Sequence, residues 1–62
     1  MARFVIYRDR AGQYRWRLVA KNGEIVAISE AYTVKYNAKL SATRVKILAP
    51  LAIIVDLTTV SR

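Results

Sequence analysis

Arg15 and Arg17 alternate with Tyr14, Trp16 and Leu18 in the run Tyr14-Arg15-Trp16-Arg17-Leu18. In an extended chain this spacing puts two guanidinium groups on one side and the indole on the other. Each guanidinium is a rigid fork of N–H donors suited to phosphate or carboxylate, and a nearby ring such as Tyr7 adds a surface on which a base could stack. Other reactive chemistry is scarce. The sequence has no histidine and no cysteine, which removes the Ser-His-Asp and Cys-His nucleophile systems and nearly all transition-metal sites. Its four carboxylates are Asp9, Glu24, Glu30 and Asp56, and no local spacing pairs two of them as general acid and base. Asp9-Arg10-Ala11-Gly12 has the chemistry of a turn, not of a phosphate loop, because no glycine-rich run follows. The expectation is a protein without enzymatic activity, cofactor or metal.

The elements that must position these residues begin with β structure. Residues 3–8 are rich in aromatic and β-branched side chains, and residues 13–21 alternate, with Tyr14, Trp16, Leu18 and Ala20 on one face and Gln13, Arg15, Arg17 and Val19 on the other. Asn22-Gly23 then predicts a tight hairpin into a strand at 24–29, with a type I′ turn as the expected geometry. A two-residue turn would set Lys21 opposite Glu24, Ala20 opposite Ile25, Leu18 opposite Ala27 and Arg15 opposite Glu30. A helix is predicted over 34–49, capped by Thr33 and stopped by Pro50. Val34, Ala38, Ser41, Ala42, Val45 and Ala49 share one arc of that helix, Lys35, Lys39 and Lys46 a second, and Tyr36, Leu40 and Ile47 a third. Residues 52–57 read as a strand covered on both sides. The expected order is βββαβ, in the α+β class, as a single domain over residues 1–62.

Size makes that unit marginal by itself. The chain has 62 residues and a mass of 7.0 kDa. Burial of roughly 3,500 Å² of apolar surface contributes about 90 kcal/mol. Ordering the chain costs about 90 kcal/mol as well. With no disulfide and no structural zinc to add stability, a second chain is the expected source. The net charge is +7, and 55% of residues are hydrophobic, so a folded basic protein is expected, not a disordered tail. No apolar run reaches the ~18–20 residues of a membrane span, and Met1-Ala2-Arg3-Phe4 lacks the features of a signal peptide. A cytoplasmic location is the default.

A set of motifs adds a family resemblance. Phe4-x-Ile6-Tyr7-x-Asp9-x-x-Gly12-x-Tyr14-Arg15-Trp16-Arg17-Leu18, Asn22-Gly23, Ser29-x-x-Tyr32-x-x-Lys35, Val45-Lys46 and Ala49-Pro50 together resemble the YegP-like family of small uncharacterised proteins, over about residues 4–57. The resemblance implies a homodimer for a single-repeat chain. Two β₃αβ units would form one continuous antiparallel sheet, with helices on one face and exchanged C-terminal strands. It implies no activity, substrate or cofactor. Ser41 stands where a glycine is common in the family, and Ile47 and Leu48 stand where polar residues are common.

Candidate surfaces follow. If one helix covers one face of the sheet, the open face of the second and third strands carries Arg15, Arg17, Val19, Val26 and Ile28. Val5 and Tyr7 join it if the odd-numbered side of the first strand faces the same way, which the bend at Asp9–Gly12 leaves open. Arg15, Arg17, Tyr7, Val26 and Ile28 are therefore the candidate binding surface, a mixture typical of partner interfaces. The plainer reading has Trp16 in the core, the arginines on a solvated face and Arg15 paired to Glu30. Arg3, Arg8, Lys35, Lys39 and Lys46 are candidate polyanion contacts. Ile53, Ile54, Val55 and Leu57 are the candidate dimer interface, and Asp56 among them could pair with an arginine. The leading expectation is a small homodimeric interaction protein. The alternative is sequence-independent binding of nucleic acid, with an acidic protein as another partner of suitable charge.

Overall fold

The computed structural model describes residues 1–58. Three strands, β1 (Arg3–Arg8), β2 (Tyr14–Val19) and β3 (Ile25–Ile28), are followed by the helix α1 (Lys35–Leu48) and a single 3₁₀ turn over Ala49–Leu51. The strands form one antiparallel sheet in the order β1-β2-β3. The α+β expectation and the first four elements are present. The strand expected over residues 52–57 is not formed within the chain: these residues pair with no described strand, and Asp56 is exposed, accepting hydrogen bonds from the backbone N–H and hydroxyl of Thr58.

The first turn is tied by Asp9. One carboxylate oxygen accepts the N–H groups of Ala11 and Gln13, each at 2.9 Å, and Gly12 closes the loop at φ +80°. The second turn departs from type I′, which needs positive φ at both central residues. Only Gly23 has it, at +91°. The Gly23 N–H bonds to the Ala20 carbonyl and the Ala20 N–H to the Glu24 carbonyl, so the hairpin carries a longer turn ending in a left-handed glycine. Asn22 contributes through its side chain, which accepts the Glu24 N–H. The added residue is absorbed by a register shift between Leu18 and Val19, so Val19 sits opposite Ile25 where Ala20 was expected. Leu18 opposite Ala27 is as expected. Val19, expected on the open face, is only 6% exposed.

Helix α1 lies on the face carrying Phe4, Trp16 and Leu18. Ala38 and Ala42 are its buried residues, small enough to bring the helix close to the sheet; Ser41 and Val45 are half-buried, while Val34 and Ala49 are exposed. Val34, not Thr33, occupies the N-cap, and no side chain caps the first turn. The Val34 carbonyl still accepts the Asn37 N–H at 3.0 Å. The remaining first-turn donors lie at an exposed helix end, where water can serve them.

Trp16 holds the layers together. Its ring packs edge-on against Phe4, with centroids 5.2 Å apart. Its indole N–H donates to the Ser41 hydroxyl at 2.9 Å, which also lies 2.9 Å from the Tyr32 hydroxyl. Ser41 thus provides a hydrogen-bond acceptor for a buried donor. Ser41→Ala is expected to strand that donor and cost about 1–3 kcal/mol, read as a lower denaturant midpoint followed by Trp16 fluorescence; an unchanged midpoint would show that the bond contributes nothing net.

Candidate functional site

The register settles the orientation of β1. Val5 pairs with Arg17 and Tyr7 with Arg15, so the odd-numbered side of β1 joins the open face. Arg17 is opposite Ile28 on the other flank. The structure therefore brings Val5, Tyr7, Arg15, Arg17, Val26 and Ile28 onto one surface, and Val26 and Ile28 are exposed. Tyr7 and Arg17 are diagonal neighbours, and the guanidinium carbon of Arg17 lies 4.4 Å from the Tyr7 ring centroid, in cation–π range.

The two arginines have different tasks. Arg15 donates from Nε to Asp9 at 2.8 Å and from Nη1 to the Ser29 carbonyl at 3.0 Å. Its ion-pair partner is Asp9, not Glu30, for a local reason. At Ser29 the ladder hands over to side chains: the Trp16 N–H bonds to the Ser29 hydroxyl, leaving the Ser29 carbonyl to Arg15. The chain bulges before Tyr14 and Tyr32 exchange backbone hydrogen bonds at 2.7 Å. Arg15 thus bridges the first turn and the exit of β3, and Arg17 is the cation of this face with no ion pair among the described residues.

The other predicted cations spread over three places. Arg8 stacks on Tyr14 at 5.4 Å, next to the first turn, and donates to the Gly12 carbonyl. Arg3 and Lys46 meet across a cleft of about 430 Å³ between β1 and α1, lined also by Phe4, Leu18, Ala42 and Thr43. Lys35 and Lys39 are exposed and share the helical arc of Lys46. Ile53, Ile54, Val55 and Leu57 are between 68% and 97% exposed, so the strand expected to be covered on both sides is uncovered in the single chain.

Sequence reasoning missed a second groove of about 240 Å³, formed by Tyr32, Asn37, Leu40, Ser41 and Arg44. The last four recur at helical spacing on one stripe, a pattern visible in the sequence once Tyr32 is known to close it. Among the described residues no three His, Cys, Asp or Glu side chains converge to hold a metal, and no helix is long and apolar enough to cross a membrane.

This geometry can be set beside known proteins. Residues 9–56 match the family model described as a domain of unknown function, DUF1508. The chain belongs to this family. The YegP-like resemblance is borne out with it. A UPF0339 protein of Agrobacterium fabrum is 43% identical over 61 residues, covering 98% of both chains. One from Methanosarcina acetivorans is 40% identical over 57 residues, covering 92% of this chain and 98% of the relative. A Neisseria meningitidis UPF0339 protein is 56% identical over 36 residues, a match spanning 64% of that relative. The solution NMR structure of a protein from Haloferax volcanii superposes with a TM-score of 0.80 at 43% identity, covering 89% of this chain and 93% of that one. That of a protein from Agrobacterium tumefaciens superposes at 0.77 with 44% identity and 95% coverage of each. The three-stranded antiparallel sheet with one helix is therefore the fold shared with these two solution structures.

Within this DUF1508 chain, the Asp9–Arg15 pair has a measurable consequence. The hydrogen bond from Arg15, followed by the Gln13 and Ala11 N–H groups, holds the Asp9 carboxyl below its ordinary value of 3.8, against a smaller opposing effect of burial. A depressed folded-state value means the carboxylate stabilises the fold above about pH 4 and loses that contribution as pH falls through the folded value. Asp9→Asn is expected to be less stable at neutral pH and to lose less stability between neutral pH and pH 3 than the unmodified chain. Parallel acid-unfolding curves for the two proteins would contradict this.

Proposed function

We propose that the chain is one half of a homodimeric, non-catalytic interaction module, with residues 52–57 acting as a strand on the sheet of a second copy. The observation that carries this reading is the bare apolar arm: Ile53, Ile54, Val55 and Leu57 are exposed, and Leu51 precedes them equally bare. Such side chains in a continuous exposed run mark an interface. Two further quantities support it. The chain exposes 5278 Å², where a compact monomer of its mass exposes about 4,000 Å², and the excess is of the size a stable interface covers on each partner. Its radius of gyration is 14.3 Å, against about 11 Å for a compact chain of this length. The order β1-β2-β3 leaves the outer edge of β1 unpaired, next to the cleft lined by Phe4, Leu18 and Ala42, and a strand added there would extend the sheet.

In that dimer the open faces with Val5, Tyr7, Arg17, Val26 and Ile28 remain for a partner. Sedimentation equilibrium at micromolar concentration should return twice the 7.0 kDa chain mass, and Ile54→Asp should shift it toward the single chain. A mass of 7.0 kDa with the fold intact overturns the proposal.

A second reading, sequence-independent binding of nucleic acid, is favoured by the Tyr7–Arg17 stack. A guanidinium and a ring already in contact offer both a phosphate contact and a stacking surface. Lys35, Lys39, Lys46 and Arg3 would add phosphate contacts. Affinity for generic DNA or RNA should then fall steeply between about 50 and 200 mM salt, and Arg17→Ala should weaken it further at low salt. Binding unchanged by Arg17→Ala removes the sheet face from this reading.

A further inference from the structure

We propose that the groove between Tyr32 and the outer flank of α1 is a binding site for a small oxyanion, a carboxylate or a phosphate monoester, held by Arg44, Asn37 and the paired hydroxyls of Ser41 and Tyr32.

The placement comes from the helix. Asn37, Leu40, Ser41 and Arg44 follow the i, i+3, i+4, i+7 spacing of one stripe, and Tyr32 closes the groove from the loop before α1. The chemistry of the lining is one-sided. Arg44 brings a guanidinium, Asn37 a carboxamide, and Ser41 and Tyr32 hydroxyls, while Leu40 supplies an apolar wall; the nearest carboxylate is that of Glu30, beside the Tyr32 hydroxyl and outside the lining. Neither the Arg44 guanidinium nor the Asn37 carboxamide makes a hydrogen bond or ion pair with any described residue. A forked cationic donor beside an amide donor matches two oxygens of one anion.

The hydroxyl pair adds a further donor to the groove. The Ser41 oxygen accepts the Trp16 indole N–H and shares one hydrogen bond with Tyr32 at 2.9 Å. That single bond uses only one of the two hydroxyl protons. If Tyr32 donates to Ser41, the Ser41 proton has no acceptor among the described residues. If Ser41 donates to Tyr32, the Tyr32 proton is left with the Glu30 carboxylate at 3.5 Å, at the limit of a hydrogen bond. In either arrangement one hydroxyl proton of this half-exposed pair can turn toward a ligand oxygen in the groove. The stripe lies on the opposite flank of the buried Ala38–Ala42 face from Lys39 and Lys46. The groove is therefore separate from the β1 cleft offered above to the second copy, and either proposal can fail without the other.

The test is an NMR titration of ¹⁵N-labelled protein with inorganic phosphate and, separately, with sodium acetate, at ionic strength held constant with sodium chloride. The expected result is saturable shifts at the Asn37 carboxamide, the Arg44 Nε–H and the Ser41 amide with at least one of the two anions, which also identifies the ligand chemistry. Arg44→Gln should weaken binding by about tenfold or more, the loss of one charge-assisted hydrogen bond. Tyr32→Phe should weaken it less, and Arg10→Gln, on the exposed first turn, should leave it unchanged. Shifts that do not saturate, that spread equally over Lys35, Lys39 and Lys46, or that persist in Arg44→Gln overturn the proposal.

Discussion

The Trp16 residue meets every other layer of the chain within one residue's length. Its ring packs on Phe4 of β1, its indole N–H ends on Ser41 of α1, and its backbone N–H and carbonyl both bond to Ser29 at the exit of β3. Few other groups are well buried in so small a unit; among the described residues, Val19, Ala38, Ala42 and Ser29 complete the set. The helix contributes two alanines to this core, so its docking depends on close approach and on the Ser41 hydroxyl more than on bulky apolar contacts. The position of α1, and with it both the β1 cleft and the outer groove, follows from where the indole points.

The arrangement around Arg15 is a second constraint of the same kind. The first turn and the end of β3 lie far apart in sequence, yet Asp9, Arg15 and Ser29 close them into one polar cluster. That explains why an alternating pair of arginines is functionally unequal. Arg15 is committed to the scaffold, whereas Arg17, one pleat away, stacks on Tyr7 and keeps its charge available. A phosphate-gripping pair is thereby reduced to one guanidinium and one ring on a mostly aliphatic face, a composition closer to that of protein interfaces.

Strand identity, the hairpin position and the helix were legible because periodicity and turn residues report them locally. Tyr14, Trp16 and Leu18 alternate as a half-buried strand must, and Asn22-Gly23 marks the reversal. The type of turn was not legible, because Asn22 serves equally well through its side chain, and that choice changes the partner of Val19 across β3. Arg15 opposite Glu30 followed from an uninterrupted ladder, but the Ser29 hydroxyl replaces a backbone partner and the chain bulges. Thr33 has the chemistry of a cap without being placed as one. The outer groove escaped notice because three of its helical residues are ordinary surface types, and only the fold adds Tyr32 to them.

In the proposed dimer, the bare segment after Pro50 and the unpaired edge of β1 would also decide how association ends. An arm and a matching edge in the same molecule support two geometries: a reciprocal exchange that closes after two chains, or a head-to-tail series in which each copy leaves a new edge exposed. Pro50 lies inside the 3₁₀ turn that launches the arm, and its fixed φ narrows the directions the arm can take. In such an assembly, closure would be a matter of launch angle more than of affinity. Loosening that short turn would favour open-ended growth over a finite assembly, with the side chains of the interface left untouched.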